Sequence, residues 1–419
     1  MTRRGAEPEA RPIAGALVAW YQHSQRDLPW RRTRDPYAIW VSEIMCQQTR
    51  VATAIPYWQR WMTRFPTVAA LAAAPIDDVL ASWAGLGYYA RARNLHTGAA
   101  EVVARWGGQL PTTAAELRAI RGIGAYTAGA IASIAYAERV PLVDGNVARV
   151  LARLWALTDD VKSSVGQRRL WDLAGQLVTA LPPGAAPGDL NQGLMELGAL
   201  VCTPEAPRCD ACPLRAACVG LAGGDPTRFP VLPARPGKDA LPELRRVALW
   251  LTRGDQVLLA RRRPDGLFGG LWELPAGDDA AAAARAIGGR LAALGPQLAV
   301  HEQVLSHRRL RVEAHAARLG RGRLGKLGDS GYDAVAWTPV SAATTLGVAR
   351  ATRTLLHRLA GKDVPWSSTP RPSPSSKRAT RRSSPASDAS ATTPPTRTSP
   401  TPRRGRPRAS TSSSTTRRR

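Results

Sequence analysis

The stretch Leu117–Ala135, LRAIRGIGAYTAGAIASIA, places Gly122 and Gly124 between two segments with a helical pattern. Glycines before a helix let backbone N–H groups and the helix N-terminus approach a phosphate closely. A lone G-x-G is a weak signal, because it often marks only a turn. Between two helices it predicts a helix-hairpin-helix, in which Gly122 and Gly124 contact a DNA backbone without reading its sequence.

Four cysteines lie close together downstream, in VCTPEAPRCDACPLRAAC, with the spacing C-x6-C-x2-C-x5-C. Thiolate ligands select zinc or an iron–sulfur cluster, and a disulfide staple is the remaining alternative. Zinc sites usually have two C-x2-C pairs or histidine partners, whereas here only Cys209 and Cys212 form a C-x2-C pair. The spacing therefore favours a cluster held by Cys202, Cys209, Cys212 and Cys218. Cys46 stands alone in an apolar helical pattern and is predicted to be core.

Two carboxylates suggest acid–base chemistry. Asp144, in PLVDGNVARVLARL, precedes an amphipathic helix as an N-cap, and the helix N-terminus is expected to lower its pKa. Glu43, in YAIWVSEIMCQQTRVATAIPYW, lies in an apolar helix, where burial is expected to raise its pKa. One acid held protonated and one held ionised suit the cleavage of a glycosidic bond. Spacing alone does not bring the two residues into one cleft.

The chain divides into a helical part and a part with strand-like runs. Apolar residues recur at helical spacing in Trp40–Ile55, Val79–Trp83, Leu95–Val103, Ala128–Tyr136, Val147–Leu157 and Leu170–Leu181. Strand-like runs follow at Arg246–Thr252, Gln256–Arg261, Leu298–Ser306 and Leu310–Ala317. We therefore predict a mainly α domain at 11–224, a linker at 225–242, an α+β domain at 243–360 and a tail at 361–419.

The composition favours a polyanionic partner. The chain has 419 residues and a net charge of +26. Part of that charge lies in the Ser-, Thr-, Pro- and Arg-rich tail, which is predicted to be disordered. The tail is either a DNA-attracting segment or an unselected extension. Without a signal peptide or a membrane-length apolar run, and with free thiols, the sequence predicts a cytoplasmic protein that does not contact membranes.

In combination, these motifs resemble a known family. The helix-hairpin-helix, LVDGNV and the cysteine spacing, in this order, are similar to the endonuclease III class of DNA glycosylases. VSEIMCQQTRVATAIPYW and GLGYYARARNLH resemble MutY-type adenine DNA glycosylases, over about residues 11–360. The resemblance implies a monomeric bacterial enzyme, associated with the nucleoid, that carries a [4Fe-4S] cluster. Its substrate would be double-stranded DNA, from which it removes adenine paired with 8-oxoguanine or guanine.

The resemblance also implies roles for single residues. Glu43 would protonate the flipped adenine and later orient water, and Asp144 would stabilise the sugar cation. Asn146 would support Asp144 and Tyr126 by hydrogen bonds. Tyr126 occupies the position at which bifunctional relatives have a Schiff-base lysine, and a phenol cannot form an imine. We therefore expect hydrolysis that leaves an abasic site.

Base flipping requires side chains that fill the vacated stack. The resemblance assigns the wedge beside 8-oxoguanine to Gln48 and Tyr88, with Thr49 and Leu86 next to them. Trp30 and Arg31 would form the wall of the adenine pocket. Each of these residues alone could equally be ordinary packing.

The segment GLFGGLWELPAGDDAAAAARAIGGRL resembles a Nudix domain without its metal-binding glutamates. On the helix expected there, Ala286, Gly289 and Arg290 stand where glutamates would be, so a magnesium site and Nudix hydrolase activity are not expected. The resemblance instead implies an 8-oxoguanine-recognition module. Ser306 and His307 would read the lesion, and Leu305 replaces the family's phenylalanine.

Two other functions remain open. One is a glycosylase for another base, against which Tyr126 and the appended domain argue. The other is a non-catalytic iron–sulfur DNA-binding protein, which would not need both Glu43 and Asp144. If the cysteines hold a cluster, the loop between them would present Arg208 and Arg215 to DNA phosphate.

Overall fold

A computed structural model describes residues 8–233, 241–321, 324, 327 and 330–361. Residues 362–419 of the predicted tail and residues 234–240 of the predicted linker lie outside the described residues. Within them, no helix has both the length and the apolar character that a membrane span requires.

The N-terminal part of the described chain is helical, as predicted. Its helices are α1 (Ala10–Ser24), α2 (Pro36–Cys46), α3 (Val51–Arg64), α4 (Val68–Ala73), α5 (Ile76–Trp83), α6 (Ala90–Trp106), α7 (Ala114–Leu117), α8 (Ala125–Ala135), α9 (Gly145–Leu154), α10 (Ser164–Thr179), α11 (Pro187–Leu200) and α12 (Val219–Ala222). Short 3-10 turns lie at Pro29–Arg31, Cys209–Ala211, Arg215–Ala217 and Pro226–Arg228.

The predicted single helical pattern Trp40–Ile55 is wrong in one respect, because a turn at residues 47–50 divides it. Gln48 has a φ of 54°, in the left-handed region that ends helices. Since Gln48 is not glycine, nothing local in the sequence indicates this break. Helix α2 itself begins in the expected way, with Pro36 in its first turn and the Asp35 side chain accepting a hydrogen bond from Tyr37 N.

Helix α8 lies between two hydrophobic cores. Ile131 packs in one, together with the fully buried Trp40, Trp61 and Trp83, and Ala130 packs in the other, which contains residues of α1, α9, α10 and α11. Small residues make this position possible. A Cβ added at Gly129 would lie 2.3 Å from the carbonyl oxygen of Pro141.

The C-terminal part is a mixed α+β structure, also as predicted. Its strands are β1 (Glu243–Trp250), β2 (Thr252–Arg253), β3 (Gln256–Arg262), β4 (Trp272–Glu273), β5 (Ala276–Gly277), β6 (Leu291–Val304), β7 (Arg309–Leu319) and β8 (Tyr332–Pro339). Its helices are α13 (Ala280–Ala286), α14 (Val340–Ala343) and α15 (Arg350–Leu359). One sheet has the order β5-β1-β7-β6, with β1 and β7 parallel, and in the other β3 pairs with β2, β4 and β8.

The Nudix-like segment departs from the prediction at its helix. Helix α13 ends at Ala286, so Gly289 and Arg290 follow the helix instead of lying on it. Gly288, with a φ of 72°, supplies the left-handed residue that stops it.

The two parts pack closely against each other within one compact unit. Leu271 and Ala349 of the C-terminal part are buried in the first core of the helical part. Tyr89 donates a hydrogen bond of 3.2 Å to the carbonyl oxygen of Val348. At Gly347, an added Cβ would lie 2.9 Å from the Cβ of Leu80, so the approach depends on glycine.

We expect Gly129→Ala to lower the free energy of unfolding by about 1–3 kcal/mol, because its methyl group would clash with fixed backbone. Gly15→Ala is the matched control, since Gly15 also lies within a helix but faces open space. Alanine there should stabilise the protein by about 0.5–1 kcal/mol through helix propensity. Denaturant unfolding of both variants measures the contrast, and equal effects of the same sign would contradict the packing argument.

Candidate active site

Glu43 and Tyr126 are brought together by α2 and the first turn of α8. The Tyr126 hydroxyl donates a hydrogen bond of 2.5 Å to Glu43 Oε2 and lies 3.3 Å from Met195 Sδ of α11. Glu43 is half-buried, as its helix predicts. Burial and the neighbouring carboxylates raise the pKa of Tyr126 well above its ordinary value, so the phenol remains a donor.

Asp144 is the N-cap of α9, as predicted, and two groups bind its carboxylate. Val147 N donates to Oδ1 at 2.7 Å, and Asn146 Nδ2 donates to Oδ2 at 3.0 Å. Arg149 holds Asn146 in place, because its Nη2 donates to Asn146 Oδ1 at 2.8 Å and its Nε donates to the carbonyl oxygen of Cys202 at 2.8 Å. The expected support of Asp144 by Asn146 is therefore present, whereas the Tyr126 phenol donates to Glu43.

The two carboxylates interact despite their separation in sequence. Desolvation raises the pKa of Glu43 to about 7, opposed by the Tyr126 hydrogen bond and reinforced by the charge of Asp144. Glu43 is thus an acid that exchanges its proton near neutral pH.

The expected lowering of the pKa of Asp144 is wrong. Burial raises it, and the hydrogen bonds from Val147 and Asn146 oppose the rise without reversing it. The capping pattern is visible in the sequence, but the desolvation arises from tertiary packing. Asp144 accepts two hydrogen bonds to its anion and Glu43 accepts one, so this geometry favours the negative charge on Asp144 and the proton on Glu43.

Arg31 belongs to an ion-pair network around Glu196, whose side chain has no solvent exposure. Arg31 Nη2 lies 2.9 Å and Arg26 Nη2 2.7 Å from Glu196 Oε2. Burial alone would raise the pKa of Glu196, but these arginines lower it to about 2. The positive charge of Arg31 also acts on Glu43. Trp30, beside it, is buried with its ring 5.9 Å from that of Trp58 in an edge contact.

Gln48 and Tyr88 both lie exposed on turns with left-handed backbones, with φ values of 54° and 48°. Such conformations are uncommon for residues other than glycine and indicate that the surroundings hold the turns in place. Thr49 and Leu86 lie next to them. The side chain of Arg91 contacts both turns.

A cavity of about 440 Å³ lies where the turn at residues 85–90 meets loops 266–269 and 303–307 of the C-terminal part. Leu86, Tyr88, Ser306 and His307, which are far apart in sequence, all line it. Ser306 Oγ lies 3.2 Å from His307 Nδ1, and both side chains are exposed. Leu305 also lines this cavity.

The four clustered cysteines line one small cavity of about 30 Å³, and all four are free thiols. Within the described ranges, no group of three or more His, Cys, Asp or Glu side chains has the arrangement that would hold a metal ion. Four thiols that line one cavity are nevertheless the donor type that suits a soft, sulfur-liganded group. Arg153 Nη1 lies 3.4 Å from Cys202 Sγ.

Other predicted features lie apart from these groups. Gly122 has a φ of 86°, and a Cβ there would lie 2.7 Å from Asn94 Cβ. Gly124 is exposed and faces open space, so packing does not require glycine there. Arg208 is exposed, whereas Arg215 forms an ion pair with Asp210. Burial raises the pKa of the Cys46 thiol to about 12, and Cys46 packs against the core as predicted.

Sequence reasoning missed several residues that organise these sites. They are Arg26, Arg91, Arg149, Met195 and Glu196. Only Glu196 left a recognisable signal, as a lone charge in the apolar run LMELGAL. A charge in such a run is buried only if it is paired.

Replacing Glu196 by glutamine should lower the free energy of unfolding by about 3 kcal/mol, because two arginines lose their buried partner. The pKa of Glu196 is depressed in the folded protein, so its stabilisation exists above its ordinary pKa. It should disappear as the pH falls from 4.5 to about 2. Asp27→Asn is the control, since the Asp27–Arg32 pair is exposed and should contribute little. Urea unfolding at neutral pH measures both variants. If Glu196→Gln and Asp27→Asn lost the same free energy of unfolding, the importance of burial would be contradicted.

Two family models match the sequence. Residues 41–176 match the HhH-GPD superfamily base excision DNA repair protein, and residues 246–358 match a NUDIX domain. Among solved structures, a thermostable thymine-DNA glycosylase aligns with 51% of this chain and 97% of its own, at 26% identity and a TM-score of 0.47.

Curated relatives carry the description adenine DNA glycosylase. The protein from Homo sapiens is 41% identical over 318 residues, which cover 64% of this chain and 58% of the relative. This chain thus spans less than two thirds of that relative's length. A protein from Buchnera aphidicola subsp. Baizongia pistaciae is 33% identical over 62% of this chain and 72% of its own length. This coverage shows that the chain belongs to the adenine DNA glycosylase family.

Proposed function

We propose that this protein is a monofunctional DNA glycosylase of base excision repair. It hydrolyses the N-glycosidic bond of adenine paired with 8-oxoguanine or guanine and leaves an abasic site. The observation that carries the proposal is the convergence of Glu43, Tyr126, Asp144 and Asn146, with the pKa of Glu43 raised to about 7. An acid of that pKa is able both to donate and to accept a proton at neutral pH.

Glu43 is the general acid in this proposal. It protonates the adenine ring, which leaves as a neutral base when the bond between the sugar and the base nitrogen breaks. The positive charge that develops on the sugar is stabilised by Asp144, whose anion is held by Val147 N and Asn146 Nδ2. Glu43, now ionised, then accepts a proton from the attacking water.

Tyr126 orients the acid. Its phenol donates to one oxygen of Glu43, which leaves the other oxygen to face the substrate. Because the phenol cannot form an imine with the sugar, the proposed reaction ends at hydrolysis.

The target adenine has to leave the helical stack before Glu43 can reach it. We assign the flipped base to the space beside Trp30 and Arg31, and the filling of the vacated stack to Gln48 and Tyr88 with Thr49 and Leu86. The exposure of Gln48 and Tyr88 on rigidly held turns supports this assignment. The helix-hairpin-helix would hold the DNA backbone through the N–H groups around Gly122 and Gly124, both of which are exposed.

The C-terminal part serves as the lesion reader in this proposal. Ser306 and His307 line the same cavity as Tyr88, so one lesion base could contact the wedge and the polar pair together. Leu305 supplies the apolar contact in place of phenylalanine. The specificity for 8-oxoguanine rests on these contacts.

Cys202, Cys209, Cys212 and Cys218 would hold the proposed [4Fe-4S] cluster. When bound, the cluster would order the loop that holds these cysteines, whereas the glycosidic cleavage is assigned to the carboxylates. We further propose that the enzyme acts as a monomer on double-stranded DNA, in the bacterial cytoplasm where the nucleoid lies.

We expect the full-length protein to excise adenine from duplexes with A:8-oxoguanine, which alkali then converts into a strand break. Glu43→Gln should bind the same duplex without excising adenine, because the amide N–H groups are too weakly acidic to donate a proton. Duplexes with T:G or an oxidised pyrimidine serve as specificity controls. Cleavage at those bases, or an unbroken A strand, would reject the proposed substrate, and excision by Glu43→Gln would reject the proposed acid.

The excision rate constant should fall as the pH rises through about 7, because only the protonated form of Glu43 donates. Tyr126→Phe tests the cause. Since the phenol lowers the pKa of Glu43, its removal should move the alkaline limb of the profile to higher pH. Single-turnover rates across the neutral range measure both profiles. A limb that stays in place in Tyr126→Phe would contradict the assignment of this limb to Glu43.

A further inference from the structure

We propose that Arg91 is a positioning residue that clasps the two turns bearing Gln48 and Tyr88 into one rigid wedge. The inference rests on the proposed function, since the wedge matters only if a base is flipped. It goes beyond that function by naming the group that sets the wedge geometry.

The first half of the clasp lies at the end of α2. Arg91 Nη1 donates to the carbonyl oxygens of Ile44 at 2.8 Å and Met45 at 3.1 Å, and also to that of Gln47. The last carbonyls of a helix have no partner within the helix and carry partial negative charge, which favours a cation there. Arg91 therefore fixes the turn that follows Glu43 and leads directly into Gln48.

The second half is the turn before α6. Arg91 Nη2 donates to Leu86 O at 3.2 Å and Gly87 O at 3.1 Å, and also to Thr49 Oγ1 at 3.2 Å. The guanidinium carbon lies 5.6 Å from the centre of the Tyr88 ring and 5.2 Å from that of Trp83. One planar cation thus spans both turns and supports the ring of the exposed tyrosine.

The positive φ values of Gln48 and Tyr88 explain why the two turns need the contacts that Arg91 makes. Gln48 and Tyr88 both adopt a left-handed backbone, which costs free energy in residues with a Cβ. Such turns persist only when other contacts hold them, and the side chain of Arg91 contacts both. A lysine keeps the positive charge, but its single nitrogen cannot reproduce the two-sided fork of a guanidinium.

The first test uses hydrogen exchange without DNA. In Arg91→Lys, amides of residues 44–50 and 84–90 should both exchange faster than in the wild type. Arg105→Lys is the matched control, because Arg105 also lies on α6, against the Trp106 ring at 4.1 Å, and donates to one carbonyl. If only one turn, or neither, exchanges faster in Arg91→Lys, the clasp is wrong. This readout decides the clasp even if the protein does not excise adenine.

The second test measures excision from A:8-oxoguanine duplexes in single turnover. Unstacking is followed in a matched duplex that has the fluorescent base 2-aminopurine in place of adenine. Arg91→Lys should lower the excision rate constant on the order of 10²-fold, as misplaced groups do, and should reduce the fluorescence rise. In a separate measurement with substrate in excess, the amplitude of the burst, which counts folded active sites, should stay unchanged. A lower amplitude with an unchanged rate would mean that Arg91 only supports folding, which would overturn the proposal.

Thr49→Val supplies a variant that removes a single acceptor of the clasp while preserving side-chain volume. Its rate loss should be smaller than that of Arg91→Lys. The two losses should not add in the double variant, since both act through the same contact. Strictly additive losses would show that Arg91 does not act through this turn.

Discussion

The hydrogen bond from Tyr126 to Glu43 is the constraint on which the candidate site depends. It joins α2 to α8 at a half-buried position, where an unpaired carboxyl would be costly. The bond requires α8 to approach α2 closely, and the small residues Ala128 and Ala132 of α8 lie in the same core as the side chains of α2. Packing of small residues between two cores thereby sets the distance between an acid and its hydrogen-bond donor.

Several arginines act inside this protein as connectors. Arg153 is almost fully buried and donates to the carbonyl oxygens of Thr203, Pro204 and Phe229 beside the cysteines. Arg91 and Arg149 likewise bind backbone oxygens from separate segments. A guanidinium suits this role because its five N–H groups lie in one plane and remain charged when buried. Some of the net charge of +26 is therefore structural and does not measure affinity for nucleic acid.

The sequence was sufficient for features with a local cause. Periodicity predicted the helices around Leu95 and Leu170, and Asp144 was recognisable as a cap because its partner, Val147, is three residues away. Features that depend on distant contacts were missed or predicted wrongly. The break at Gln48 lies in a turn that is hydrogen-bonded to the distant Arg91, and the raised pKa of Asp144 depends on burial by other elements. The acceptors of Arg91 and Arg149 are mostly carbonyl groups, which every residue has, so no sequence pattern marks them.

The consecutive residues Tyr88 and Tyr89 show how one turn serves two purposes. Tyr88 is 49% exposed and borders the cavity that contains Ser306 and His307. Tyr89 is buried, accepts a hydrogen bond from Gly85 N and donates one to Val348 O of the C-terminal part. The turn is thus anchored to the C-terminal part by the residue that follows the exposed tyrosine. In the proposed enzyme, movement of the C-terminal part would therefore act on the turn that bears Tyr88, so this turn would couple lesion reading to wedge geometry.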